Sequence, residues 1–398
     1  MPMGVSTGHA AVVIANGSPG SIAAVRSLGR RGVDTIVASD LTAPPSARSR
    51  HCDEFVPLPE PTDPDDYAAA LLSLARRPDV RTILPGREQD IFVLASHRDA
   101  FADHVTPFWP DFETVRETHD RLSLFATAAA TDAPIPTTEP LDAVTDWSGE
   151  RIVKSRYALL TDAYDRAIPS RDLHKPPSTV YLEPGQTPDR QALVERMEHV
   201  PVTQSYVGGT EYSFRALYDH GDPVLTSQIR QHRGYKYTGG ASVYRESIFD
   251  PRLERSGRAL LDALDWHGPA EVEFRRPADG DEYLLMEVNP RLWASLSCDI
   301  RAGVDYPWVL WRLAGDDPVP ETTDYETGVG THLLRGEVSY LYSLWTHDCP
   351  LVDPPSPSTA IRNLIASFRR HPDCDYFSPS DPWPFVRDVR LAIRSHLP

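Results

Sequence analysis

The chain has 398 residues, 40% hydrophobic and 24% charged, with 38 prolines, 4 cysteines and a formal net charge of −17. At roughly 100 to 200 residues per domain this length gives two or three compact units, and the apolar content excludes wholesale disorder. The negative charge excludes a general nucleic-acid binder, whose surface must neutralise phosphates, and leaves small molecules as the expected partners. No apolar run reaches the roughly 18 residues of a membrane span and no leader pattern opens the chain, so a soluble cytoplasmic protein with no membrane partner is expected. Cys52, Cys298, Cys349 and Cys374 are scattered without paired spacing, which argues for free thiols. Asp outnumbers Glu 37 to 20, and Arg outnumbers Lys 37 to 3. Such a surface suits high salt, where screening cancels carboxylate repulsion, so a halophilic, haloarchaeal source is expected. A GC-rich genome accounts for Arg over Lys but not for Asp over Glu.

In chain order, residues 10–15 form a short apolar run, 16–20 a turn, and 21–31 carry Ile22, Val25 and Leu28 at helical spacing. Further strands are predicted at 35–38, 54–56 and 81–84, with a helix at 65–77. This is a βαβ series and hence a mostly parallel sheet. The first turn lacks the GxGxxG fingerprint, which argues against a dehydrogenase. One helical stretch, 111–130, leads into the Pro-rich linker 133–140. A strand at 151–154 precedes the glycine-free segment 155–178, for which a mobile loop is expected. Strands at 179–182 and 202–207 flank a helix at 189–198. Residues 211–218 and 224–230 read as antiparallel strands, and 251–264 as a helix with Leu253, Leu260, Leu261 and Leu264 on one face. Residues 321–398 read as an appended helical tail. All three lysines, Lys154, Lys175 and Lys236, fall within 154–236, which marks these as places where a compact ammonium serves better than a guanidinium.

The most informative stretch is 270–291. Val272 and Phe274 alternate with Glu271, Glu273 and Arg275, while Leu284, Met286 and Val288 alternate with Leu285, Glu287 and Asn289, around Asp279-Gly280-Asp281. A hairpin pivoting at Gly280 pairs Glu273 with Glu287 on one face, their Cβ atoms about 5 Å apart, with Asn289 two residues further on. Opposed like charges destabilise a sheet unless compensated, and a hard divalent cation taking oxygens from Glu273, Glu287 and Asn289 is the economical compensator. Magnesium takes its remaining ligands from phosphate and water, which points to a nucleotide complex, with Arg291 placed to steady a transferred phosphoryl group. The alternative is a solvated acidic strand face.

Glu273 with Glu287-Val288-Asn289-Pro290-Arg291 resembles the signature of the ATP-grasp superfamily, specifically its carboxylate-amine ligase-like members, over roughly residues 8–315. The resemblance implies an α/β and α+β chain: an ATP-grasp fold with an N-terminal Rossmann-like pre-ATP-grasp domain (1–115), an ATP-grasp N-terminal subdomain with the mobile loop (116–200), a C-terminal subdomain with the metal hairpin (201–320), and a small C-terminal helical tail (321–398). It implies ATP and Mg2+ (or Mn2+) as cofactors, small-molecule carboxylate and amine substrates joined through an acyl phosphate, and leaves a homodimer open. It assigns Arg121, in place of the family's lysine after Asp120, and Lys154 to ATP phosphates. Gln204 and Val207 go to the adenine hinge and Glu211 to the ribose. Arg230 and Lys236 go to the loop at 238–242 that closes on phosphate or substrate. Catalytic roles fall to Arg291 and Lys154, and the metal to Glu273, Glu287 and Asn289. Two other readings stay open: a nucleotide-binding protein without ligase activity, and an ATP-dependent carboxylase acting through carboxyphosphate.

Overall fold

A computed structural model describes residues 8–131, 133–319 and 324–396, with side chains to 393. The expected boundary at 320–321 lies outside the described residues. The N-terminal unit runs β1 (Ala10–Ile14), α1 (Pro19–Gly29), β2 (Thr35–Ser39), β3 (Glu54–Pro57), α2 (Pro64–Ala75) and β4 (Val80–Leu84). Its four strands form a parallel sheet ordered β3-β2-β1-β4. β1 is buried along its whole length, as a strand covered on both faces should be, and its apolar run supplies that burial. Helices α3 (Glu88–Ser96) and α4 (Arg98–Ala102) follow β4.

The single helix expected at 111–130 is two, α5 (Phe112–His119) and α6 (Arg121–Ala129). The break falls at Asp120, which takes an extended conformation, caps α6 by accepting a hydrogen bond from the Leu122 amide at 3.0 Å, and binds Arg156 at 2.6 Å. An aspartate at an N-cap satisfies amides that a continuous helix would not leave free.

Strands β5 (Thr138–Pro140), β6 (Arg151–Lys154) and β7 (Val180–Leu182), helix α7 (Arg190–Met197) and strand β8 (Val202–Ser205) build a small antiparallel sheet ordered β5-β8-β6-β7. The segment expected to be a mobile loop is instead packed down. Tyr157, Leu159, Leu160, Tyr164, Ile168 and Leu173 are buried in the core of the N-terminal unit. Those apolar residues, not the missing glycines, decide the behaviour of 155–178.

Next come β9 (Thr210–Asp219), β10 (Asp222–Lys236), β11 (Gly239–Ile248), α8 (Pro251–Ala263), β12 (Gly268–Arg276), β13 (Leu284–Asn289), α9 (Leu296–Ala302), α10 (Tyr306–Leu313) and β14 (Gly330–His332). They form an antiparallel six-stranded sheet ordered β13-β12-β9-β10-β11-β14. Residues 239–242, expected in a loop, open β11. One face of the sheet presents Phe214, Val272 and Phe274 to Leu253, Leu260 and Leu261 of α8. Period-two alternation then turns Ser213, Arg215, Glu271 and Glu273 to the other face. Gly209, at φ +98°, immediately precedes β9 at a point where a Cβ would stand 2.2 Å from the Arg276 carbonyl oxygen, so only glycine fits.

The tail is not an appendage. β14 joins the six-stranded sheet, α11 (Leu334–Thr346), α12 (Pro357–Arg370) and α13 (Trp383–His396) follow, and α11 and the segment between α12 and α13 are tied in through charged groups. Arg26 pairs with Asp381 at 2.9 Å, Arg233 with Glu337 at 2.8 Å, and Arg245 with Asp375. Such pairs are weak signals in composition, because only the fold shows which guanidinium is buried with which acid.

Candidate functional site

The register of β12 and β13 sets Glu273 directly opposite Glu287 and Glu271 opposite Asn289. Their side chains line a cavity of about 270 Å³ on the polar face of the large sheet, shared with Glu211, Gln231 and Arg291. Asn289 Nδ2 donates to Glu273 Oε1 at 2.9 Å. Burial, and after it the negative charges of Glu287, Glu271 and Glu211, push the Glu273 carboxyl well above the usual carboxylate range. Two carboxylates so placed need either a proton or a cation between them, and an all-oxygen donor set fits a hard cation of the magnesium class. Glu273, Glu287 and Asn289 are thus brought together as expected.

Arg121 opens α6 beside them. Its Nη2 donates to Glu287 Oε2 at 3.0 Å and its Nη1 to the Ser155 carbonyl at 3.1 Å, while its buried Nε has no partner among the described residues. A buried donor left without an acceptor calls for a partner, and beside these carboxylates a water or an anionic ligand can supply it. Lys154, half-buried at the end of β6, faces the same charges. Burial and the nearby Arg121 bring its pKa down to about 7, with Arg275 adding to the effect and Glu287 and Glu273 opposing it.

Arg291 follows β13, with Nε on Glu88 Oε1 at 2.7 Å and Nη2 on Asn289 Oδ1 at 3.1 Å. Glu88 also binds His119 Nε2 at 2.9 Å, and His119 Nδ1 meets the Tyr164 hydroxyl at 2.7 Å. Burial alone would raise the Glu88 pKa, but Arg291 and His119 bring it down to about 2. Glu88, His119 and Arg291 line a second cavity of about 240 Å³ that shares Glu287, Asn289 and Arg291 with the first. The sequence reading missed Glu88, His119 and Tyr164. A signal existed for Glu88, which begins the helix after the last parallel strand, at the carboxyl edge where open α/β sheets bind ligands.

The hinge region departs from expectation. Gln204 is buried and donates through Nε2 to Thr138 Oγ1 at 2.9 Å, so its side chain is committed to β5. The Val207 carbonyl accepts from Arg275 Nη1 at 3.0 Å, and Arg275 also ion-pairs with Glu211, which Gln231 binds as well. Arg275 was not singled out in the sequence, yet it engages both groups expected to meet the nucleoside. Arg230 is not brought to the cavity. It is exposed and pairs in register with Tyr212, whose ring lies in the α8 core, so alternation puts it on the opposite face from the carboxylates. Lys236 is exposed at the end of β10, opposite Gly239 and beside His347, and is not among the residues that line the cavity. Register shifts between Gln231 and Lys236 displace this strand end from the simple alternation assumed for it.

No family description and no curated protein matches the chain. Solved structures do. It is similar to biotin carboxylase from Campylobacter jejuni, solved as a β,γ-ATP complex (TM-score 0.60, 13% identity, 82% of this chain and 75% of that one). It is also similar to N5-carboxyaminoimidazole synthetase from Staphylococcus aureus (0.62, 13%, 93% and 100%) and to L-amino acid ligase from Bacillus licheniformis (0.56, 15%, 78% and 74%). At these identities the likeness establishes a shared fold. Among the described residues no helix is long and apolar enough to cross a membrane.

Proposed function

From the ATP-grasp fold as premise, we propose that this chain is an ATP- and magnesium-dependent ligase that joins a small carboxylate to an amine through an acyl phosphate. The observation that carries the proposal is the opposed pair Glu273–Glu287, ringed by Asn289, Arg121, Lys154 and Arg291. Glu273, Glu287 and Asn289 would hold the magnesium, which when bound neutralises phosphate oxygens and orients the group to be transferred. Arg121 and Lys154 supply positive charge to the phosphates, and Arg121 Nε offers a donor that no described residue uses. Arg291, locked by Glu88 and Asn289, presents a preoriented guanidinium that stabilises charge without reorganising. Glu211 and the Val207 carbonyl contact the nucleoside once Arg275 swings away. Gln204 acts as a packing residue of the hinge. Arg230 and Lys236 stay outside the chemistry in this reading, which sets aside the roles the resemblance gave them.

The pre-ATP-grasp unit would cover 1–115, the ATP-grasp halves 116–200 and 201–320, and the tail 321–398. The acid-rich surface adapts the enzyme to high salt and a cytoplasmic setting. Incubation with ATP, magnesium and pools of amino acids at high salt, with ADP and phosphate as readouts, tests the proposal. Amine-dependent release of both supports it, and silence across a broad panel contradicts it. A carboxylase acting through carboxyphosphate is the second reading, favoured by the likeness to biotin carboxylase. Bicarbonate-dependent ADP release without any amine distinguishes it.

A further inference from the structure

At the other end of the large sheet, the turn between β9 and β10 gathers Asp219 and His220 against His267, the residue before β12. Ligand atoms from all three lie within 4.8 Å of one another. They border a cavity of about 300 Å³ that Phe108 and Asp316 also line. Hydrogen bonding fixes the tautomer of His267. Its Nε2 lies 3.0 Å from the Pro107 carbonyl oxygen, which can only accept, so Nε2 carries the proton and Nδ1 carries a bare lone pair. That lone pair faces Asp219 Oδ1 at 3.7 Å. Two acceptors confront each other there, and the His220 amide at 3.2 Å gives Nδ1 only a long hydrogen bond. His220 Nδ1 completes the group, 2.7 Å from the same Asp219 oxygen.

We propose that Asp219, His220 and His267 bind a borderline divalent transition ion of the zinc type, at a site separate from the carboxylate hairpin. Two imidazoles and one carboxylate suit zinc, cobalt or nickel rather than magnesium, whose hard character favours oxygens alone. His267 already has the support such ligands use: a ring N–H held by a backbone carbonyl, which aims the opposite nitrogen. The ion takes the place of the long bond from the His220 amide at His267 Nδ1, and the ring proton of His220 moves from Nδ1 to the exposed Nε2 so that Nδ1 can ligate, with no net proton release. It joins the β9–β10 turn to the start of β12, and through Pro107 to the N-terminal unit, and therefore stabilises the folded chain by mass action.

The full-length protein, stripped by chelation and held in excess magnesium, is titrated with Co2+ while visible ligand-field absorption is recorded. Melting is followed with and without Zn2+. His220→Asn is the principal variant, because asparagine tolerates the left-handed conformation that His220 adopts at φ +48° and so preserves the turn. The expected result is saturable absorption and a Zn2+-dependent rise in melting temperature for the parent, with affinity at least about tenfold weaker in His220→Asn. Asp219→Asn should weaken binding similarly, and Glu287→Gln should leave it unchanged. Absence of cobalt absorption in the parent overturns the site. So does equal affinity in His220→Asn, or loss of binding in Glu287→Gln alone.

Discussion

Glu271 and Glu273 stand two residues apart on one face of β12, in opposite electrostatic circumstances. Glu271 is bound by Arg215 at 2.8 Å, and the same fully buried guanidinium holds Asp299 at 2.7 Å, with Ser227 Oγ and Trp293 Nε1 also donating to Asp299. Glu273 faces Glu287 across the ladder and has Asn289 as a hydrogen-bond donor. In the lower layer one buried guanidinium bridges both acids, and these groups belong to the scaffold. In the upper layer Arg121 pairs with Glu287 alone, and Glu273 forms no ion pair among the described residues, so it is the carboxylate that a bound cation would complete.

Substitutions in the two layers should therefore have opposite signatures. Arg215→Ala strands two buried acids and should lower stability by about 3–5 kcal/mol, read by denaturant unfolding. Glu273→Gln removes a repulsion instead. Its stability should equal or exceed the parent's, while magnesium-dependent nucleotide cleavage falls at least about a hundredfold. A Glu273→Gln protein as unstable as Arg215→Ala would erase the distinction.

The pH dependence of the free protein sharpens the same contrast. Glu273 is raised above its ordinary range, so above that range the folded state binds more protons than the unfolded, and its contribution to stability falls as pH rises. Lys154 is lowered from 10.5 to about 7, so between those values the unfolded chain binds more protons and this group's contribution rises with pH. Glu273→Gln should remove the falling component and Lys154→Met the rising one, as seen in thermal melts across pH. A smaller effect is expected at the hinge. Arg275→Ala frees Glu211 and the Val207 carbonyl and should strengthen nucleotide binding by about two- to fivefold, the scale of a partly exposed ion pair, as measured by calorimetry. Weaker binding instead would make Arg275 a nucleotide ligand. The smallest effects belong to Arg230→Ala and Lys236→Ala, each expected to alter turnover by less than about twofold because neither borders the carboxylates.

Legibility in the sequence followed the same physics. The hairpin could be read because alternation at 271–274 and 287–289 fixes the face and register around Glu273, but the bulge between Glu273 and Phe274 could not: it pairs Phe274 with Leu285 and turns Leu285, not Met286, into the core beside Val288. The parallel sheet could be read from its short apolar runs. What escaped were interactions between residues far apart in the chain. Glu88 meets Arg291 and Arg275 meets Glu211 only after the sheets assemble. The segment 155–178 looked like a loop because burial of Tyr157, Leu160 and Ile168 without regular secondary structure leaves no periodicity to detect. Arg230 and Lys236 are not among the residues that line the cavity, because one residue of alternation and a run of register shifts set their positions.

The direct test is calorimetric titration of ADP into the full chain with and without magnesium, in the parent and in Glu273→Gln. The account predicts that magnesium strengthens binding at least about tenfold in the parent and not in the variant. An equal magnesium effect in both would place the ion elsewhere and contradict the reading of the opposed carboxylates as its site.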